Sequence, residues 1–253
     1  MPSLTIAVIS FACVFSGVLA GFFLRTLLPQ HHLKDDSKEI VKLGSGLIAT
    51  MAALVLGLLV SSAKSSFDTL NDSVKQAGAK LLLLDQLLSE FGPEAKPTRL
   101  LLRQTLENLM DVIWPSGKKQ SININALENT TGMKAVADNI RTWKPTNDPQ
   151  QLLKSQALQL INEMAQTRWS VIEHSQNSIP LPFLVILIFW LTMLYLSIGL
   201  LAPCNATVVT VLLICALSVS SAIFLIHEMN HPFQGIIQLS RAPFDKALEH
   251  LGK

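Results

Sequence analysis

Two histidines four residues apart, His227 and His231, stand at the end of a long apolar run, in the stretch HEMNHPFQG. On a helix, residues i and i+4 share a face. Such a pair can aim two neutral imidazole nitrogens at one zinc ion, with Glu228 as the general base of a metalloprotease. That chemistry also needs a third ligand and a helix that continues through both histidines. Pro232 follows His231 directly, and a residue before proline is driven out of the helical region. The extended form of the motif wants glycine three residues after the second histidine, but Gln234 stands there and Gly235 comes one later. Downstream, Asp245, Glu249 and His250 are the remaining candidates for a third ligand. The pattern therefore fails its context tests. His227 and Glu228 read instead as residues marking the water interface at the end of an apolar helix.

The other polar cluster is SSAKSSFD, residues 61–68. Lys64 and Asp68 lie one helical turn apart and can pair. Lys64 closes a charge-free stretch, so it can snorkel towards headgroups. In an oligomer with this helix on the axis it would instead contribute to a basic ring that attracts anions. No nucleophile–base–orienter set and no Gly-rich phosphate loop accompanies these clusters, so no enzyme, no catalytic residue, no metal and no cofactor is expected. The net charge of +2 gives no basic field for nucleic acid. Cys13, Cys204 and Cys215 all lie in or beside apolar segments, too few and too badly placed for a disulfide framework. They read as small buried hydrophobes.

The elements that position these residues follow from where charge is missing. Only 15% of residues are charged, against about a quarter in a soluble protein. No Asp, Glu, Lys or Arg falls between Lys42 and Lys64, or between Glu173 and Glu228. A charge at the centre of a bilayer costs roughly 2.5–3.5 kcal/mol on insertion scales. Four segments are apolar enough to cross: residues 4–24, 43–60, 181–202 and 206–226. The first reads as a retained anchor. In the second, Gly46, Thr50, Ala53 and Gly57 recur at spacings of three or four and share one face. Small residues there allow close helix packing in lipid, the plainer reading; the sharper one is a narrow pore wall, which they could also line. Pro203 and Asn205 mark a tight turn between the last two spans. Lys and Arg near the membrane are balanced on the two sides, so the positive-inside rule leaves orientation open.

Residues 61–179 are soluble in character, with 13 Lys/Arg and 12 Asp/Glu. Phe67, Leu70, Val74, Ala77, Leu81, Leu84 and Leu88 alternate spacings of three and four, an apolar heptad seam. With no proline before Pro93, one helix is expected from near Ser37 to about Phe91, with Gly78 its weak point. Further helices fit 98–114, capped by Thr98, then 133–143 and 149–177. A loop is expected over 116–131, with a short strand-like SININ at 121–125. The expected fold is all-α: four spans, with a helical soluble domain inserted between spans two and three and built on helices continuing from them. The division is 1–60 for the first two spans, 61–179 for the soluble domain, 180–227 for the hairpin and 228–253 for a tail. The seam needs a partner, within the chain or in another copy.

Two stretches carry a resemblance: LVLGLLVSSAKSSFD after the small-residue span, and EMNHPFQGIIQLSRAPFDKAL after the hairpin. Together they resemble the bestrophin-like family of bacterial and plant membrane proteins, and the match covers most of the chain. The matching positions are Gly57, Ala63, Lys64, Phe67 and Asp68, then Glu228, Pro232, Phe233, Gly235, Ser240 and Pro243. The family tail usually has Asp where this chain has Asn230, and it does not require His at 227 or 231. The resemblance implies distant kinship to bestrophins, which are oligomeric anion channels with a cytosolic helical body. It implies a homo-oligomer in the lipid bilayer of a cell inner membrane, with the inserted domain and both termini cytoplasmic and inorganic ions as partners. Span two would then line the pore, through Thr50, Ala53, Leu54, Gly57, Leu58, Ser61 and Lys64. The alternatives left open are a non-conducting membrane scaffold or sensor whose stalk helices dock a partner, and the zinc-dependent intramembrane protease of His227–His231.

Overall fold

The computed structural model describes residues 3–29, 35–114, 132–176, 181–232 and 236–251. The expected loop over 116–131, its SININ stretch, and motif residues Phe233 and Gly235 lie outside them. Among the described residues all regular structure is helical. The α-helices are α1 (Ser3–Leu27), α2 (Asp35–Phe91), α3 (Lys96–Ile113), α4 (Gly132–Thr142), α5 (Asp148–Gln176), α6 (Leu181–Leu201), α7 (Ala206–Met229) and α8 (Ala242–His250). Four of them, α1, α2, α6 and α7, are long and apolar enough to cross a membrane. The chain divides into two compact units, Met1–Ser66 with Ser178–Asn230, and Phe67–Asn177 with His231–Lys253.

In the first unit, α1, α6 and α7 bury Val14, Val18, Leu187, Leu191, Leu212, Ala216 and Ile223. Close approach of α1 and α6 rests on absent side chains. A Cβ at Gly17 would come to 2.6 Å from the Thr192 carbonyl oxygen, and one at Gly199 to 2.5 Å from that of Val18. Small residues allow helix backbones to meet in an apolar solvent that supplies no hydrophobic drive of its own. At the far end of α1, Arg25 donates to the carbonyl of Ala202, which follows the last turn of α6. That satisfies one of the acceptors a helix end leaves over.

The second unit is built on the heptad seam. Leu70, Val74, Leu81, Leu84 and Leu88 are buried, with Phe67 and Ala77 packed beside them. Their partners come from the same chain, among them Leu102 and Leu106 of α3, Val136 and Ile140 of α4, and Ile161 of α5. The chain reverses after Phe91 through Gly92 at φ 121°, in the left-handed region that glycine enters without a Cβ clash. Across this corner Arg99 donates Nε and Nη2 to the two carboxylate oxygens of Asp85, both at 2.8 Å. The pair is largely buried, at 14% and 10% exposed. These hydrogen bonds hold the Arg99 guanidinium protonated even more firmly than usual, against the opposing effect of burial. Further along α2, Lys80 pairs with Glu163 of α5 at 3.2 Å. Its hydrogen bond, helped by one from Gln159, holds the Glu163 carboxyl below its ordinary range.

Two local expectations are corrected. Thr98 does not cap α3, which already begins at Lys96 because Pro97 favours a first turn and its missing donor costs nothing there. Thr98 is fully buried and donates to Asn139 of α4 at 2.6 Å. Gly78 is not a weak point in α2. A Cβ there would stand 2.9 Å from Pro243, so glycine is what lets the tail dock. The tail fills the core of this unit with Leu239, Phe244, Ala247 and Leu251. Trp114 Nε1 donates to the Leu239 carbonyl at 3.3 Å, and its ring lies 5.6 Å from that of Phe244.

Candidate functional site

In α2 the seven candidate lining residues form one stripe. Thr50, Ala53, Leu54, Gly57, Leu58, Ser61 and Lys64 are all exposed. At 100° per residue they fall on one side of the helix. The opposite side carries Ala52, Val55, Leu56 and Leu59, which pack against the core of the first unit. Ala63, on that same side, is fully buried. Leu54 and Leu58 remain 67% and 63% exposed. The glycines of this face are open, since a Cβ at Gly46 or Gly57 has no neighbour within 4 Å. Within one chain, then, the small face of span two is not a packing face. The glycines that pack are those of α1 and α6. The Thr50 hydroxyl donates to the Leu47 carbonyl at 2.8 Å. This leaves the stripe apolar in character from Leu43 to Leu58, with Ser61 and Lys64 following.

The second motif is divided between the units. Glu228, in the last turn of α7, is fully buried and accepts a hydrogen bond from the Ser3 hydroxyl at the start of α1. This corrects the reading of Glu228 as a residue meeting water. Burial of a carboxylate demands partners, and the start of α1 supplies one. In the second unit the Pro232 carbonyl accepts from the Leu239 amide at 3.0 Å. Ser240 Oγ accepts from the Ala242 amide at 3.3 Å, ahead of α8. Pro243 enters the first turn of α8 and meets Gly78 of α2. Of the first motif, Phe67 packs against the core of the second unit and Asp68 is half-buried.

The histidine pair does not share a helical face. α7 ends at Met229, and His231 lies beyond its last turn. Among the described residues, no three His, Cys, Asp or Glu side chains gather as a metal site would require. Of the cysteines, Cys13 is half-buried while Cys204 and Cys215 are exposed, so the expectation that all three are buried is corrected. Both lie in or beside helices apolar enough to cross a membrane, where exposure from one chain's packing is ordinary.

The bestrophin-like domain family matches residues 12–244. The chain belongs to the bestrophin-like family. The resemblance read from its two motifs therefore holds. A crystal structure of a bacterial bestrophin homologue from Klebsiella pneumoniae, a single-residue variant, superimposes on the bestrophin-like protein with a TM-score of 0.68 at 15% identity, covering 95% of this chain and 97% of that one. A second variant of that homologue gives 0.66 at 14% identity, over 98% and 96%. Another crystal structure, described only as a membrane protein, gives 0.68 at 14% over 98% and 96%. At such identities the likeness is one of fold. No curated protein matches the chain.

Proposed function

We propose that this bestrophin-like protein is one protomer of a homo-oligomeric anion channel of a cell inner membrane. In this reading the chain crosses the bilayer four times, at about 4–24, 43–60, 181–202 and 206–226. The helical domain of 61–179, the tail of 228–253 and both termini lie in the cytoplasm. The exposed stripe of α2, from Thr50 through Ala53, Leu54, Gly57, Leu58 and Ser61 to Lys64, lines the pore.

One observation carries the reading: the small and aliphatic face of α2 is bare within its own chain, while its other face is used. Helices that only need anchoring to their bundle place glycine at the contact, as α1 and α6 do here. Glycine on the uncovered face of α2 supports a second approach, by copies around an axis or by a permeating ion. Apolar Leu54 and Leu58 would act as a constriction that gates by dewetting, and a ring of Lys64 would favour anions at its mouth. Membership of the bestrophin-like family, which through its kinship to bestrophins implies an oligomeric anion channel, supports the same reading. The heptad seam is closed inside the second unit, so it does not call for a docked partner, and the scaffold reading has no specific observation behind it.

The test is electrical. Purified protein in planar bilayers is expected to pass current above protein-free controls, with a reversal potential that follows the chloride gradient. Silence across varied salt and calcium would count against conduction. A reversal potential that follows the cation gradient would remove the anion assignment alone.

A further inference from the structure

The second unit holds a half-open cavity of about 530 Å³, within the roughly 300–1,000 Å³ of small-molecule sites. Its walls are largely aliphatic and sulfur-bearing, with Leu81, Leu106, Leu109, Met133, Met164 and Val171 among them. Methionines adapt to a flexible guest better than branched side chains do. Its charge is one-sided. Lys134, Arg141 and Arg168 line it, and no carboxylate is among the described lining residues. The segment that builds the unit holds nearly equal numbers of acids and bases, so the one-sided lining does not simply repeat the unit's composition. Lys134, Ala137 and Arg141 occupy positions i, i+3 and i+7 of α4, on one face. Arg141 also pairs with Asp138, but both side chains are more than half exposed, and such pairs are weak and exchange readily.

We propose that this cavity binds a single-chain anionic amphiphile, a fatty acid, with its alkyl chain among the apolar walls and its carboxylate facing Lys134, Arg141 and Arg168. Each buried methylene contributes about 0.8 kcal/mol, and the cationic lip selects a charged head over a neutral one. The site is independent of conduction and belongs wholly to the second unit.

The experiment uses the full chain in nanodiscs of zwitterionic lipid with a photoreactive palmitate, and maps the labelled peptides by mass spectrometry. Adducts are expected on cavity-lining peptides of α3, α4 and α5. Palmitate should compete, and hexadecanol should compete at least about tenfold less well, because a neutral head forgoes the charge-assisted hydrogen bonds. The double variant Lys134→Gln/Arg141→Gln, at exposed positions that leave the core intact, should weaken labelling about fivefold, the scale of one exposed ion contact. Ala165→Phe should fill the cavity and remove labelling there, while labelling of the apolar helices persists as an internal control. Labelling confined to those helices would overturn the proposal. So would equal competition by hexadecanol, or a double variant that labels like the parent protein.

Discussion

Asp85 shows how one side chain can carry a corner of the fold. It follows Leu84 in a seam of leucines, and its carboxylate is matched atom for atom by Arg99 on the far side of the Gly92 turn. Asp85→Ala removes the carboxylate that the largely buried Arg99 guanidinium meets with two hydrogen bonds. We expect a loss of about 1–3 kcal/mol, read as a lower thermal midpoint of the detergent-solubilised protein. Replacing both partners, Asp85→Leu with Arg99→Met, should recover most of it, since an apolar pair of similar volume needs no desolvation. A double variant as unstable as the single one would show that the ion pair is not the cause. The pairing was not legible beforehand. Asp85 stands one residue past Leu84 of the seam, and nothing in the spacing links it to a residue across a turn. The pairing of Glu228 was missed for the same reason, because its partner Ser3 stands at the other end of the first unit's sequence.

At the scale of elements, hydropathy and period were enough to place the helices. The long α2 was expected from near Ser37 to about Phe91 and runs Asp35–Phe91. The apolar runs became α1, α6 and α7 within a few residues of their expected ends. Charge exclusion and the 3.6 period are local properties, so one sequence displays them. Which glycines pack is a property of pairs of helices, and there the reading pointed to span two while the close contacts lie between α1 and α6. Gly17→Val should therefore force those two helices apart, at about 1–3 kcal/mol for overpacking. Gly46→Val, on the open face of α2, should cost the single chain no such repacking. Thermal midpoints of the two variants measured side by side check this. Equal losses would mean that α2 packs as tightly as α1 does, by contact with another copy.

At the scale of the whole molecule, the question is what covers the open stripe of α2. With Cys13, Cys204 and Cys215 replaced by serine or alanine, single cysteines at Leu54, Gly57 and Ala52 give three outcomes to compare. If copies gather about α2, cysteines at 54 and 57 should cross-link between chains and react with water-soluble thiol reagents, whereas one at the buried position 52 should do neither. Reaction of positions 54 and 57 with lipid-phase reagents alone would turn this face towards acyl chains and remove the pore. The sequence carried the family through motifs on α2 and in the tail. It could not carry the uncovered face, because exposure belongs to a packed chain and not to a run of letters.

The two compact units are each stitched from distant stretches of chain. Leu239, Phe244, Ala247 and Leu251 complete a core that begins at Leu70, yet α6 and α7 must be made in between. During synthesis the core that α2, α3, α4 and α5 begin therefore stays incomplete until the tail emerges behind α7. A nascent chain halted at Asn230 would hold every segment of the first unit and an unfinished second one. Translation past α7 is thus needed before the seam of α2 gains its last apolar neighbours.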